Sequence, residues 1–161
     1  MQQSNAFNQL RIIHIAVLIS MVMFNVVAAL VMTLQGGIAL VDESFQRTLQ
    51  VVCIGLSALF IILGFKVFKK KIFAARNSLE PGEKRIEMYR SACIGWWAMI
   101  EGPGIVAAVG FILSGNYAFF ALAIVHLLIL LAFAPRKANI ILFLNLSSEE
   151  VGRLEGTGNK K

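Results

Sequence analysis

Four long apolar runs, fenced off from one another by clusters of charge, constrain this chain more than any other feature of it. They extend over Ile12–Leu34, Leu49–Phe65, Ser91–Leu113 and Tyr117–Ala134. Within these four runs Glu101 is the single Asp, Glu, Lys or Arg. A helix rises 1.5 Å per residue, so crossing the hydrocarbon core of a bilayer takes roughly 20 residues, with about 17–25 observed. All four runs fit. The sequence therefore predicts an all-α polytopic membrane protein, a four-transmembrane-helix bundle arranged as two antiparallel hairpins. Residues 1–135 would form the membrane domain, with spans near 12–34, 49–68, 91–113 and 117–134 and a cytoplasmic connection over 66–90. Residues 136–161 would form an interfacial tail with a short helix. The first run is much longer than the 7–15 residues of a signal-peptide core, so it is expected to remain as a span.

Composition agrees. Hydrophobic residues make up 58% of the 161 positions and charged ones only 15%, against about 45–50% and about 25% for soluble domains. The net charge of +6 fits basic residues bordering spans and facing anionic headgroups, and no nucleic-acid partner is expected. Direction follows from where those residues lie. Fourteen of the 15 Lys and Arg fall in the N-terminal segment, the connection between runs two and three, and the tail; Arg47 alone lies on the other side. That asymmetry predicts both termini in the cytoplasm of a plasma or inner membrane.

The connections carry their own signals. Ser114-Gly115-Asn116 is so short that runs three and four must be antiparallel neighbours. Lys66 to Ser78 reads as a basic helical extension, Glu80-Pro81-Gly82 as a turn, and Glu83 to Arg90 as the lead into run three. Lys69, Lys70, Lys71, Lys84 and Arg85 are expected to meet headgroups or a partner protein. Trp96 and Trp97 should anchor the interface; they point about 100° apart, so at least one is expected to face lipid or a partner. His14 is expected at the interface as well. In the tail, Ile140–Leu146 is apolar yet too short to span, and Ser147-Ser148-Glu149-Glu150 reads as a capping box. A 79-residue shift aligns Val26–Gly36 with Ile105–Gly115, a hint of two tandem hairpins.

Chemistry, if present, should centre on Glu101. A carboxylate in mid-span is costly and is a functional candidate by default. It stands in Ile100-Glu101-Gly102-Pro103-Gly104, where Pro103 deprives the Met99 carbonyl of its donor, so a kink or break at Gly102, Pro103 and Gly104 is expected. His126 falls at a comparable depth on the neighbouring span, and Asn25 on the first; together they would form an intramembrane polar site. Two tandem hairpins with one membrane carboxylate invite comparison with the duplicated proteolipids of rotor rings. Those carry Gly-x-Gly repeats on the first helix of each hairpin and the carboxylate on the second. Here Glu101 is on the first, and no glycine precedes Gly36, so that comparison fails.

Cys53 and Cys93 lack CxxC spacing, and no nucleophile–base pair, metal-ligand cluster or phosphate loop is present. Neither enzyme activity, cofactor nor metal is expected. The sequence favours a small membrane subunit or scaffold, accessory to a larger complex, with other membrane subunits or further copies of itself as partners. The alternative is a small oligomeric proton- or cation-coupled transporter or channel using Glu101 with His126.

Overall fold

A computed structural model describes residues 6–155. It is all-helical: 85% of the described residues are in helices and none is in a strand. In chain order the helices are α1 (Ala6–Leu34), α2 (Glu43–Arg76), α3 (Gly82–Ser114), α4 (Tyr117–Ala132), α5 (Lys137–Leu144) and α6 (Ser148–Leu154). α1, α2 and α3 are each long and apolar enough to cross a membrane. α4 has 16 residues and joins that set only as a pair with α5, from which it is bent by 70°. Pro135 explains the elbow, since it disfavours helix at the residue before it.

α3 is the central helix, with α1, α2 and α4 packed around it. Each outer helix contributes one narrow seam. In α1 the buried positions are Phe7, Leu10, His14, Met21, Asn25, Ala28 and Met32, and in α4 they are Phe119, Ala123, His126 and Leu130. In α2 they are Cys53, Ser57, Gly64, Phe68 and Ala75. Steps of three, four and seven are the spacing of a coiled-coil seam. The α2 seam and the buried side of α3 are rich in small residues, which let helices approach closely where lipid offers no hydrophobic drive between them. A Cβ on Gly64 would lie 2.8 Å from the Trp96 ring, and one on Gly110 would lie 2.6 Å from the Phe119 ring. The remaining faces of α1 and α2 are open and apolar, as at Ile19, Met23, Val51 and Ile62.

This arrangement corrects the expected pair of hairpins. α3 and α4 do form a tight one, turned by Gly115 in the left-handed region at φ 66°. α1 and α2 flank α3 instead of making a substantial contact with each other. Their connection is tied to α3, where the Leu40 amide donates to the Leu113 carbonyl over 2.8 Å. The two halves also differ in build, because α2 runs unbroken for 34 residues while α4 stops after 16.

The tail folds back onto the bundle, α5 against α2 and α6 against α3. Ile140, Leu144, Leu146 and Leu154 are buried in the same core as Trp96 and Trp97. Asn145 closes α5 with φ 51°, a left-handed conformation asparagine tolerates better than most residues. The chain then enters α6 at Ser147, where the capping box forms: the Glu150 amide donates to Ser147 Oγ, and the Ser147 amide donates to Glu150 Oε2.

Candidate functional site

The polar residues within the spans divide into two groups. His126 is fully buried where α1, α3 and α4 cross. A Cβ on Gly104 would come 3.0 Å from the His126 Cβ and would collide with the end of Met21. Gly104 is therefore where the three helices touch most closely. The Ile100 carbonyl faces the imidazole as an acceptor, but neither ring nitrogen has hydrogen-bond geometry with any partner. Asn25, one turn beyond Met21 on α1, donates from Nδ2 to the Met21 carbonyl over 2.8 Å, and its Oδ1 is buried without a partner.

Glu101 does not join this crossing. It is half-buried and makes no hydrogen bond or ion pair with a described residue. The expected coupling of Glu101 with His126 and Asn25 does not form. Depth is not the obstacle, because His126 packs against the level of Ile100 and Gly104. Direction is: Glu101 is rotated about 100° from Ile100 on α3. Its side of the helix carries Ile94, Ala98 and Val109, all exposed, together with half-buried Ile105. Glu101 stands at the border between this exposed strip and the packed seam, because Trp97 and Ala108 on its other flank are buried.

The expected helix break is also absent, since α3 continues as helix through Pro103. Its three flagged residues have separate roles. Gly104 is the contact point, whereas a Cβ on Gly102 would meet nothing within 4 Å. Gly102 and Pro103 instead line an apolar cavity of about 230 Å³ between α2 and α3, shared with Cys53, Leu56, Phe60 and Val106.

At the end of the bundle that carries the α4–α5 elbow, expectation and structure differ most for the aromatic and basic residues. Trp96 and Trp97 are both buried, at 2% and 1% exposure, so neither is an interface anchor. Their 100° separation points them at two different helices. Trp96 stacks on Phe68 of α2 with ring centroids 5.9 Å apart and meets Phe133 edge-on at 5.3 Å. Trp97 meets His14 of α1 edge-on at 4.9 Å. His14 is buried too, and its Nε2 donates to the Leu130 carbonyl over 3.0 Å. Leu130 stands in the last turn of α4, where carbonyls lack intrahelical donors. His14 therefore acts as a C-terminal cap supplied by another helix.

Arg85 is likewise no headgroup contact. It is buried, with Nη1 donating to the Leu144 carbonyl over 2.8 Å and Nη2 2.5 Å from Glu150 Oε1. One guanidinium thus ties the last carbonyl of α5 to the capping carboxylate of α6. The Ser147 amide and then the Arg85 guanidinium hold the Glu150 carboxyl below its usual range. Lys69, Lys70, Lys71 and Lys84 are exposed; Lys84 pairs with Glu87 at 3.1 Å, and Lys69 lies over the Phe65 ring. Among the described residues no cluster of His, Cys, Asp or Glu could hold a metal ion.

The comparisons add nothing to this geometry: no family model, no curated protein and no solved structure matches the chain.

Proposed function

We propose that this chain is a small, non-catalytic subunit of a membrane protein complex and that it docks a partner helix on the open strip of α3. One observation carries the reading: half-buried Glu101 sits near the middle of α3 with no hydrogen-bond or ion-pair partner among the described residues, beside a strip on which Ile94, Ala98 and Val109 are exposed. An isolated carboxylate at that depth in lipid costs several kcal/mol by most scales, and a donor or cation on a neighbouring helix offsets the penalty. Small residues and interhelical hydrogen bonds are the usual means of holding such helices together.

In this reading the chain crosses the bilayer four times with both ends in the cytoplasm, the direction favoured by its basic residues. α4 spans about 24 Å at 1.5 Å per residue, and the elbow at Phe133–Arg136 completes the crossing. α5 and α6 then lie on the cytoplasmic side against the inner ends of α2 and α3. The transport alternative loses its main support, since Glu101 and His126 do not meet.

Photo-crosslinkers at Ile94 and Ile105 on the strip, and at Ile62 on the lipid-facing side of α2, test the docking surface in native membranes. Crosslinking to one discrete species from the strip alone, abolished by Glu101→Gln with the fold intact, is the expected result. Equal crosslinking from Ile62, or crosslinks indifferent to Glu101→Gln, would overturn the proposal. So would proton or cation flux in proteoliposomes that disappears in Glu101→Gln while the crosslinks persist.

A further inference from the structure

A second region of the molecule is built for a ligand of a different kind. Where α1 passes the α4–α5 elbow, a cavity of about 600 Å³ opens. That volume is in the range of small-molecule sites, about 300–1,000 Å³. Its rim holds three basic side chains, Arg11 from α1 and Arg136 and Lys137 from the elbow and the start of α5. The side chains of Arg11 and Arg136 are exposed and make no hydrogen bond or ion pair with any described residue. Lys137 lies over the Phe7 ring and pairs with Glu155, the one carboxylate in the lining. Three cations against one anion leave the rim positive. α5 begins there with no side chain capping its first turn, which adds free amides to the same rim.

The other wall is apolar. Ile15 and Leu18 of α1 face Leu131 of α4 across the cavity. Ile15 is 40% exposed and Leu131 is 45% exposed, and the same faces continue to Ile19 and Leu128, both more than half exposed. A positive rim with an apolar groove running away from it along two membrane helices matches the two ends of a lipid. A free inorganic anion would use only the rim, and a neutral lipid only the groove.

We propose that this cavity binds one anionic phospholipid from the cytoplasmic leaflet, its phosphate among Arg11, Arg136 and Lys137 and an acyl chain along the α1–α4 groove. The proposal rests on the membrane placement but not on the docking role of Glu101. The elbow that makes α4 short is also what creates the site, because a straight helix would carry Arg136 and Lys137 away from α1.

Native mass spectrometry of the full chain in non-ionic detergent, titrated with phosphatidylglycerol, phosphatidylcholine or inorganic phosphate, tests it. Wild type should retain phosphatidylglycerol in preference to phosphatidylcholine, and inorganic phosphate should not displace it. Each basic group near a lipid surface contributes about fivefold, so the double variant Arg11→Gln with Arg136→Gln should bind about thirty-fold more weakly. Both residues are exposed and unpaired, so the fold should survive. The control Lys69→Gln with Lys70→Gln removes two exposed charges outside the cavity lining and should leave retention at the wild-type level. Leu131→Trp, which fills the groove, should also weaken retention. Equal loss in the control would mean diffuse attraction and overturn the site. Displacement by inorganic phosphate, indifference to Leu131→Trp, or equal retention of phosphatidylcholine would overturn the lipid assignment.

Discussion

The guanidinium of Arg85, near the start of α3, is bonded to the carboxylate of Glu150 on α6, 65 residues later, at 2.5 Å. Their side chains are only 11% and 17% exposed, so this is a tie between two parts of the chain rather than a surface ion pair. It locks the tail to the bundle. Removing either partner strands the other, and breaking a buried pair costs about 3–5 kcal/mol. Partial exposure of Glu150 sets the expectation at about 3 kcal/mol. Arg85→Met should abolish hydrogen-exchange protection of α6 and expose Asn145 to proteases while α1–α4 stay protected. Unchanged protection of α6 would refute the tie.

The same contact should respond to acid. Glu150 has its carboxyl held below the ordinary value of 4.5 by the Ser147 amide and the Arg85 guanidinium. A depressed folded-state pKa adds stability that is fully present above the unfolded value and disappears as pH falls through the folded one. Exchange protection of α6 should therefore be flat above about pH 4.5 and decline below it. In Glu150→Gln that decline should vanish from an already lower baseline.

His14 caps α4 from a different helix, and its loss should be felt at the bundle core. Leaving a buried acceptor unsatisfied costs about 1–3 kcal/mol. His14→Phe keeps the ring against Trp97 but removes the donor to Leu130, so unfolding should shift by that amount. The two tryptophans, both at this end of α3, supply the fluorescence readout. A variant as stable as wild type would show that the cap contributes nothing.

Gly102 and Gly104, two residues apart, should behave differently. Gly104→Ala drives a methyl against Met21 and the His126 Cβ, and overpacking of this kind costs about 1–3 kcal/mol. Gly102→Ala meets open space apart from Pro103, whose ring opposes a Cβ on the preceding helical residue, so the helix-propensity gain is offset and the change should stay small. Thermal denaturation of the pair in one detergent decides it; equal effects would contradict the three-helix contact at Gly104.

The tail divides along the same line between what pattern reveals and what packing decides. Its capping box is legible because Ser147 and Glu150 act over a single turn, where spacing alone fixes geometry. The partner of Glu150 is not, because Arg85 comes from another part of the fold and reads in sequence as one more basic residue beside a span. Trp96 and Trp97 mislead for a related reason. Their helical directions follow from the sequence, but a central helix has neighbours on several sides and can bury both.

Sequence by itself determined the helical class, the long apolar helices, the turns at Pro81 and Gly115, and the asymmetric placement of basic residues. These depend on hydropathy, length and local backbone chemistry. Tertiary structure alone decided that α3 is central, that α1 and α2 flank it, and that Glu101 turns away from His126. Lipid tails are as apolar as leucine, so hydropathy marks which segments are apolar without marking which face meets another helix. With 100° between successive residues, one step along α3 separates Ile100 on the His126 side from Glu101 at the edge of the exposed face. That single step takes the carboxylate away from the imidazole.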